Sequence, residues 1–373
     1  KRRRLAFYER YGARPVVGTL YDERTTEAKE SYLLYLVYDG LGRHPALRRE
    51  TARRAVRAIL TRKYGLAPDD PHVKAVVQSF RDDPVRLREP RYAKPEVSPT
   101  RPEGGWLRPL KLVVAQRHEI HHLRTRGYVE RPVRMRAILA GLEGLPVEEM
   151  PVRHFGLDAI RAVHSRHLVS YLESVCRQLG PKDLIYPEIF PVRRPDRRPR
   201  ERAMRAGYYC MDTFTPLTAS AWPAARAAVD CALTAAELVR EGERVAYALL
   251  RPPGHHAERA VYGGFCYFNN AAVAAHRLSH EGKVALLDID HHHGNGSQDI
   301  FWERADVLTV SIHGHPRDCY PYFAGYADER GAGPGLGFNR NFPLKPGADD
   351  AAYLHALDAA LETVAKFKPS WLV

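Results

Sequence analysis

The sequence predicts an α/β protein built on a mostly parallel sheet with helices on both faces, preceded by a smaller α+β segment. Three observations predict it. Short apolar runs recur in the second part of the chain: LKLVVAQ (110–116), RVAYALL (244–250), KVALLDID (283–290), DVLTVSIH (306–313) and SWLV (370–373). Runs of this kind suit strands buried on both faces. Helical spacing fills the intervals, in AWPAARAAVDCALTAAELVREG (221–242), FNNAAVAAHRLSHEG (268–282) and ADDAAYLHALDAALETVAKF (348–367). Strand and helix alternating at this distance make βαβ units. Finally, three of the apolar runs end in polar clusters, RPPGHHA (251–257), DIDHHHGNG (288–296) and SIHGHP (311–316). In open parallel sheets the ligand site lies beyond the carboxyl ends of the strands.

Ahead of these units, residues 1–83 form a compact mixed segment. RRRLAFYERYGARPVV suggests a helix turning at Gly12, SYLLYLVYDG a strand ended by Asp39-Gly40, and ETARRAVRAILTRKYG a helix stopped at Gly65. Residues 84–109, rich in Pro, Arg and Gly and without periodicity, are expected to be a linker, leaving 110–373 as the main domain. The chain starts at Lys1 rather than Met and closes on a strand just beginning, so it reads as a fragment.

Composition bounds the function. With 373 residues and 45% of them hydrophobic, a sizeable core is available. The net charge of +13 comes mainly from arginines spread along the chain, with Lys1-Arg2-Arg3-Arg4 the one short basic block, so nucleic acid is an unlikely partner. Five widely spaced cysteines without a CxxC suit a reducing, cytoplasmic setting, and no apolar stretch is long enough to span a membrane.

The chemistry concentrates after Leu287. In an extended segment Asp288, Asp290 and His292 share one side. Two carboxylates and an imidazole converging there repel and desolvate unless a divalent cation neutralises them, and an Asp/His set with open positions suits Zn²⁺ or Fe²⁺. His255 and His256, at a neighbouring strand tip, supply a general acid/base and an electrostatic stabiliser for hydrolysis by activated water. In GGFCYFNN the glycines allow close backbone approach, Phe265 can line an apolar channel, and Cys266 is a buried small hydrophobe. His313 and His315 take structural or rim roles. No GK[ST] opens a helix after the Gly-rich 324–344 stretch and no GxSxG is present, which argues against a phosphate loop and a serine triad.

RPPGHHA, GGFCYFNNAAVAA, LDIDHHHGNGSQDIF and LTVSIHGHP, in this order, resemble the zinc-dependent histone deacetylase superfamily, from about Leu110 to the end. The stretch from FPVRR to GYYC and SIHGHPRDCYPYFAGYADERGAGPG are most similar to its acetylpolyamine amidohydrolase branch. The resemblance implies the arginase/deacetylase fold and amide hydrolysis. It makes Asp290 and His292 zinc ligands, His256 the general base and acid, and His255 mainly electrostatic. Asp288 orients His255 and joins Ser311 around a structural K⁺, and Asn295 holds His256. Gly264, Phe265 and Tyr320 form the substrate tunnel.

The family's third zinc ligand and its oxyanion tyrosine would fall beyond Val373, so the resemblance implies an incomplete metal site within these residues. His291 stands where the family usually has an apolar residue. For a cationic acetylpolyamine, Glu188 is the candidate rim acid, while the basic run PVRRPDRRPRERAMR (191–205) leaves a neutral or acidic acyl amide, or acetyl-lysine, open. A homodimer through residues 188–207 is a further implication of this branch. Residues 1–80 resemble the C-terminal part of a GNAT-type acetyltransferase, on RRRLAFYERYGARPVVGT and LLYLVYDGLG. The competing expectations are a two-metal ureohydrolase, which lacks its DxHxD pattern here, and a catalytically silent module of the same fold.

Overall fold

A computed structural model describes residues 9, 13–21, 36–39, 46–91, 109–115, 118–123 and 128–373. The chain divides into two compact units, Lys1–Gly105 and Trp106–Val373.

In the first unit, strand β1 (Arg14–Pro15) pairs antiparallel with β2 (Val37–Tyr38). Helix α1 (Arg49–Ala58) runs on into a π-helical turn, Ile59–Lys63, where a single helix to Gly65 was expected. Helix α2 (Pro71–Gln78) begins at Asp70, whose carboxylate accepts the His72 N–H at 2.7 Å, with proline in the first turn where its missing donor costs nothing. Val56, Leu60, Val73, Val76 and Phe80 close this core. Val85 joins them, and its N–H donates to the Leu47 carbonyl. At the start of the expected linker, the apolar side chain of Val85 and backbone bonds from Val85 and Arg88 hold the chain to the first unit. Most of the linker and of the FYERYG and LLYLVYDGLG segments lies outside the described residues.

The second unit carries two sheets, and every strand pairing within them is parallel. The first has the order β4 (Val147–Met150), β3 (Leu110–Val114), β5 (Ala246–Leu249). The second has the order β8 (Asn339–Leu344), β7 (Val307–Gly314), β6 (Val284–Asp288), β9 (Trp371–Leu372). The edges β5 and β9 line one cavity of about 540 Å³, with the helices Ala221–Arg240 (α3) and Asn270–Ser279 (α4) on its wall.

Strand β6 shows why the apolar runs read as doubly buried. Val284 and Leu286 enter the core shared with α3 and α4, whereas Ala285 packs with Leu308, Val310 and Ile312 of β7 beneath helix α5 (Asp350–Phe367). Period-two alternation places each residue against a helix layer on one face or the other. Among the described residues no helix is long and apolar enough to cross a membrane.

Candidate active site

The polar cluster begins where β6 ends. Asp288, the last residue of that strand, lies in register with Ser311 of β7. Beyond it the chain folds through two side-chain turns: the Asp290 N–H donates to Asp288 Oδ1 at 3.0 Å, and the His292 N–H to Asp290 Oδ1 at 2.8 Å. Aspartates caught by the backbone two residues on are a stable local geometry. It leaves Asp290 and His292 side by side, with His292 Nδ1 3.4 Å from Asp290 Oδ1.

From the end of β5 the chain returns through Arg251-Pro252-Pro253-Gly254 to His255 and His256, whose rings lie 4.0 Å apart. They have opposite environments. His255 Nδ1 sits 2.7 Å from Asp288 Oδ2; burial works against its charge, but the Asp288 carboxylate overrides burial and raises its pKa. His256 Nδ1 instead faces the amide oxygen of Asn295, at 2.8 Å. Burial, reinforced by the neighbouring His255, pushes its pKa well below the usual imidazole value, and the neutral amide restores little. The two adjacent imidazoles are thus shifted in opposite directions, His255 towards its charged form and His256 towards its neutral form. Asp290 stays ionised: burial opposes this, and the bonds from His292 with the nearby His255 outweigh it.

Aromatic walls stand over the pair. Tyr320 lies 4.8 Å from the His256 ring and 6.1 Å from the His292 ring. Phe265 meets Tyr128 at 5.1 Å and Phe214 at 5.8 Å, and Phe214 in turn meets Tyr320 at 5.8 Å. Phe265 holds a left-handed backbone (φ +66°), which few side chains adopt, just after Gly264 at φ +57°. A Cβ at Gly264 would come within 2.1 Å of His256 Cδ2. Gly264→Ala is therefore expected to displace the His256 ring and to lower turnover roughly 100-fold, the scale of an ångström's misplacement. Measuring kcat beside the thermal midpoint would show whether the loss is catalytic or a loss of folded protein.

The sequence-predicted residues His255, His256, Asp288, Asp290, His292, Asn295, Gly264, Phe265 and Tyr320 thus come together. Ser311 is buried beside Asp288, and its hydroxyl bonds to His313 Nδ1 at 2.7 Å. His313 also reaches the Gly325 carbonyl, the structural role expected of it. Cys266 is buried, with its thiol pKa pushed up by desolvation. Glu188 is not brought in: its side chain is exposed, and no hydrogen bond, ion pair or ring contact joins it to the cluster. Its backbone N–H bonds to Ala203 instead, so its place is set by main-chain pairing rather than by the site. The basic run beside it is partly neutralised, since Arg194 and Arg197 share Asp196.

Sequence reasoning missed Asp212, a buried carboxylate in the loop after residues Arg202–Tyr209. It accepts from the Gly264 N–H, from Thr215 Oγ1 at 3.1 Å and from Tyr320 OH at 3.0 Å, binding both tunnel walls to one anchor. A lone Asp in MDTFTP carries no pattern that could have singled it out. Tyr128 and Phe214 are also absent from the sequence expectation, being isolated aromatics.

Parallel strands ending in this Asp/His cluster under aromatic walls define a protein of the arginase/deacetylase α/β fold. Residues 128–373 match the histone deacetylase domain. The chain is 41% identical over 265 residues to acetylpolyamine amidohydrolase 2 of Pseudomonas aeruginosa, covering 69% of this chain and 77% of that one. It is 37% identical over 273 residues to the acetylpolyamine amidohydrolase of Mycoplana ramosa, covering 69% and 80%. The crystal structure of acetylpolyamine aminohydrolase from Burkholderia pseudomallei superposes with a TM-score of 0.64 at 38% identity, over 70% of this chain and 80% of that one. The chain belongs to the histone deacetylase family, in its acetylpolyamine amidohydrolase branch. None of this supports the acetyltransferase resemblance of residues 1–80.

Proposed function

We propose that this protein removes acetyl groups from acetylated amines, an acetylpolyamine or an acetyl-lysine, by zinc-dependent hydrolysis of the amide. The observation that carries the reading is the pair of touching histidines with opposed charge preferences, His255 tied to Asp288 and His256 to Asn295. It is supported by relatives named as acetylpolyamine amidohydrolases.

Asp290 and His292 would hold the zinc. A carboxylate oxygen and an imidazole nitrogen side by side are the donor types it prefers, and the described residues contain no third His, Cys, Asp or Glu grouped with them. When bound, zinc supplies Lewis acidity to the acetyl carbonyl and lowers the pKa of water. The remaining work falls to side chains of this chain. His256, neutral and with Nδ1 directed at Asn295, accepts the proton of the attacking water at Nε2 and returns it to the leaving amine. His255, whose pKa the Asp288 carboxylate raises against burial, stabilises negative charge developing beside it when protonated. Phe265 and Tyr320 flank the acyl chain and exclude water, and Asp212 keeps both walls in place. Asp288 and Ser311 line a small cavity of about 10 Å³, where oxygen donors suit the structural K⁺.

The test is metal content and acetate release by the full-length protein, with N-acetylputrescine and acetyl-lysine peptides as substrates. Stoichiometric zinc is expected, with turnover that a chelator removes and added zinc restores. A folded protein with neither metal nor turnover would favour the second reading, a silent module of the same fold, for which the pair of donors without a third is the supporting observation.

A further inference from the structure

Behind the base lies a carboxyl group with no task in that reaction. Glu258 follows His256 by two residues, half-buried, and its Oε1 accepts from Asn295 Nδ2 at 2.7 Å. The other end of the same amide, Asn295 Oδ1, faces His256 Nδ1 at 2.8 Å. Asn295 Nδ2 has only longer alternatives, the His256 carbonyl at 3.3 Å and the Met211 sulfur at 3.5 Å.

An amide has one donating and one accepting end. With the NH₂ group drawn to Glu258, the oxygen is left for the imidazole, and an acceptor at that position requires that Nδ1 carry the ring hydrogen. Nε2 is then bare. Were the amide reversed, its NH₂ would face Nδ1, the hydrogen would move to Nε2, and that nitrogen could accept no proton. We propose that Glu258 is a positioning residue for deacetylation, fixing through Asn295 the tautomer of His256 whose Nε2 is free. The inference rests on the reading of His256 as the general base, and deepens it.

The surroundings give Glu258 a pH response. Asp299, on the helix Asn295–Phe301, is a like charge whose Oδ2 is occupied by the Arg259 N–H at 2.8 Å. His164 is spent on the backbone: its Nδ1 faces the Glu258 carbonyl at 2.8 Å, and its Nε2 accepts from the Asn269 N–H at 2.9 Å. His164 is kept neutral by burial, its pKa lowered to about 4. Among the described residues no ion pair neutralises Glu258. Burial first, and Asp299 second, push its carboxyl up to about 7. It is a carboxylate, the stronger acceptor, only above that pH; below it the neutral acid carries a competing O–H and its hold on the amide weakens. The deacetylation rate therefore rises as pH increases through about 7, in part because Glu258 ionises.

Three forms of the zinc-loaded full-length protein decide this: wild type, Glu258→Gln and Glu258→Leu. Each is measured for acetate release from N-acetylputrescine against pH, for zinc content, and for the ¹⁵N shifts of the His256 ring, assigned as the resonances missing from His256→Ala. In Glu258→Leu, kcat is expected to fall roughly 10- to 100-fold at unchanged KM and zinc content, with His256 acquiring Nε2–H character. Glu258→Gln keeps an accepting oxygen for the amide but, like the protonated acid, carries no charge, so it should retain the Nδ1–H tautomer, hold kcat near the wild-type low-pH level at every pH, and lose the inflection near neutral pH. The proposal fails if Glu258→Leu keeps the wild-type tautomer and pH profile. It fails equally if both variants lose turnover and folded protein in proportion, which a purely structural carboxyl would produce. Absence of acetate release in every form would defeat the deacetylase reading instead, while the ring shifts would still report on the tautomer.

Discussion

Replacing His256 by alanine is expected to lower acetate release roughly 10²- to 10⁴-fold, the usual contribution of a positioned general base, while acetylated amine still binds. His256 is almost fully buried, its pKa is pushed well down, and its Nδ1 faces Asn295, so on the proposed reading its free Nε2 would be the proton acceptor. The binding surface is made by other residues, since Phe265, Phe214 and Tyr320 pack on one another and the Phe214 N–H and Tyr320 hydroxyl both donate to Asp212. The loss should therefore appear in kcat with little change in KM, and zinc should remain because Asp290 and His292 are untouched. His255→Ala should cost less, as that ring acts through its charge rather than by moving a proton. Turnover by His256→Ala near the wild-type level would remove His256 from the mechanism and direct attention to His255.

The second large effect is on stability. Arg251 is fully buried, and its guanidinium grips both oxygens of Glu130 while donating to the His118 and His121 carbonyls. Arg251→Met leaves the Glu130 carboxylate, itself only 8% exposed, without its bidentate partner and with only Arg134 at 3.9 Å as an ion-pair contact. Breaking a buried pair from one side costs about 3–5 kcal/mol, which should be read as a lowered urea midpoint. Activity should weaken too, because Arg251 opens the turn that carries His255 and His256. The double replacement Arg251→Met with Glu130→Met should recover part of the stability, since an apolar pair leaves no stranded charge. A single variant as stable as wild type would show that water reaches Glu130 and that this contact does not hold the turn.

How much of this was legible before the structure varies with the kind of contact. The alternation of apolar runs and helical stretches announced the parallel α/β unit, because β6 and β7 are buried on both faces and their composition must say so. The Asp288-to-Asn295 stretch and the His255-His256 pair were legible for a related reason. Their residue types are costly to bury, and they sit next to apolar runs where burial is certain. Residues that the site uses singly were not legible. Asp212 and Glu258 are isolated acids, and an isolated acid reads as a solvated one until the fold closes over it. Pro- and Arg-rich composition also conceals Val85, an apolar anchor to the first unit at the start of the expected linker.

The sequence by itself determined β3, β5, β6, β7 and β9, their chemical loading, and the family, since these follow from local periodicity and contiguous motifs; β4, without an apolar run, and β8, inside the Gly-rich stretch, were read only from the structure. The tertiary structure alone decided what each charged group does. It set His255 against Asp288 and His256 against Asn295, brought Asp212 across to Tyr320 over 108 positions of chain, and placed Glu258 behind the amide. The reason is physical. A strand or a turn is fixed by neighbours in sequence, whereas the charge a side chain carries is fixed by desolvation and by partners that only folding brings within hydrogen-bond distance.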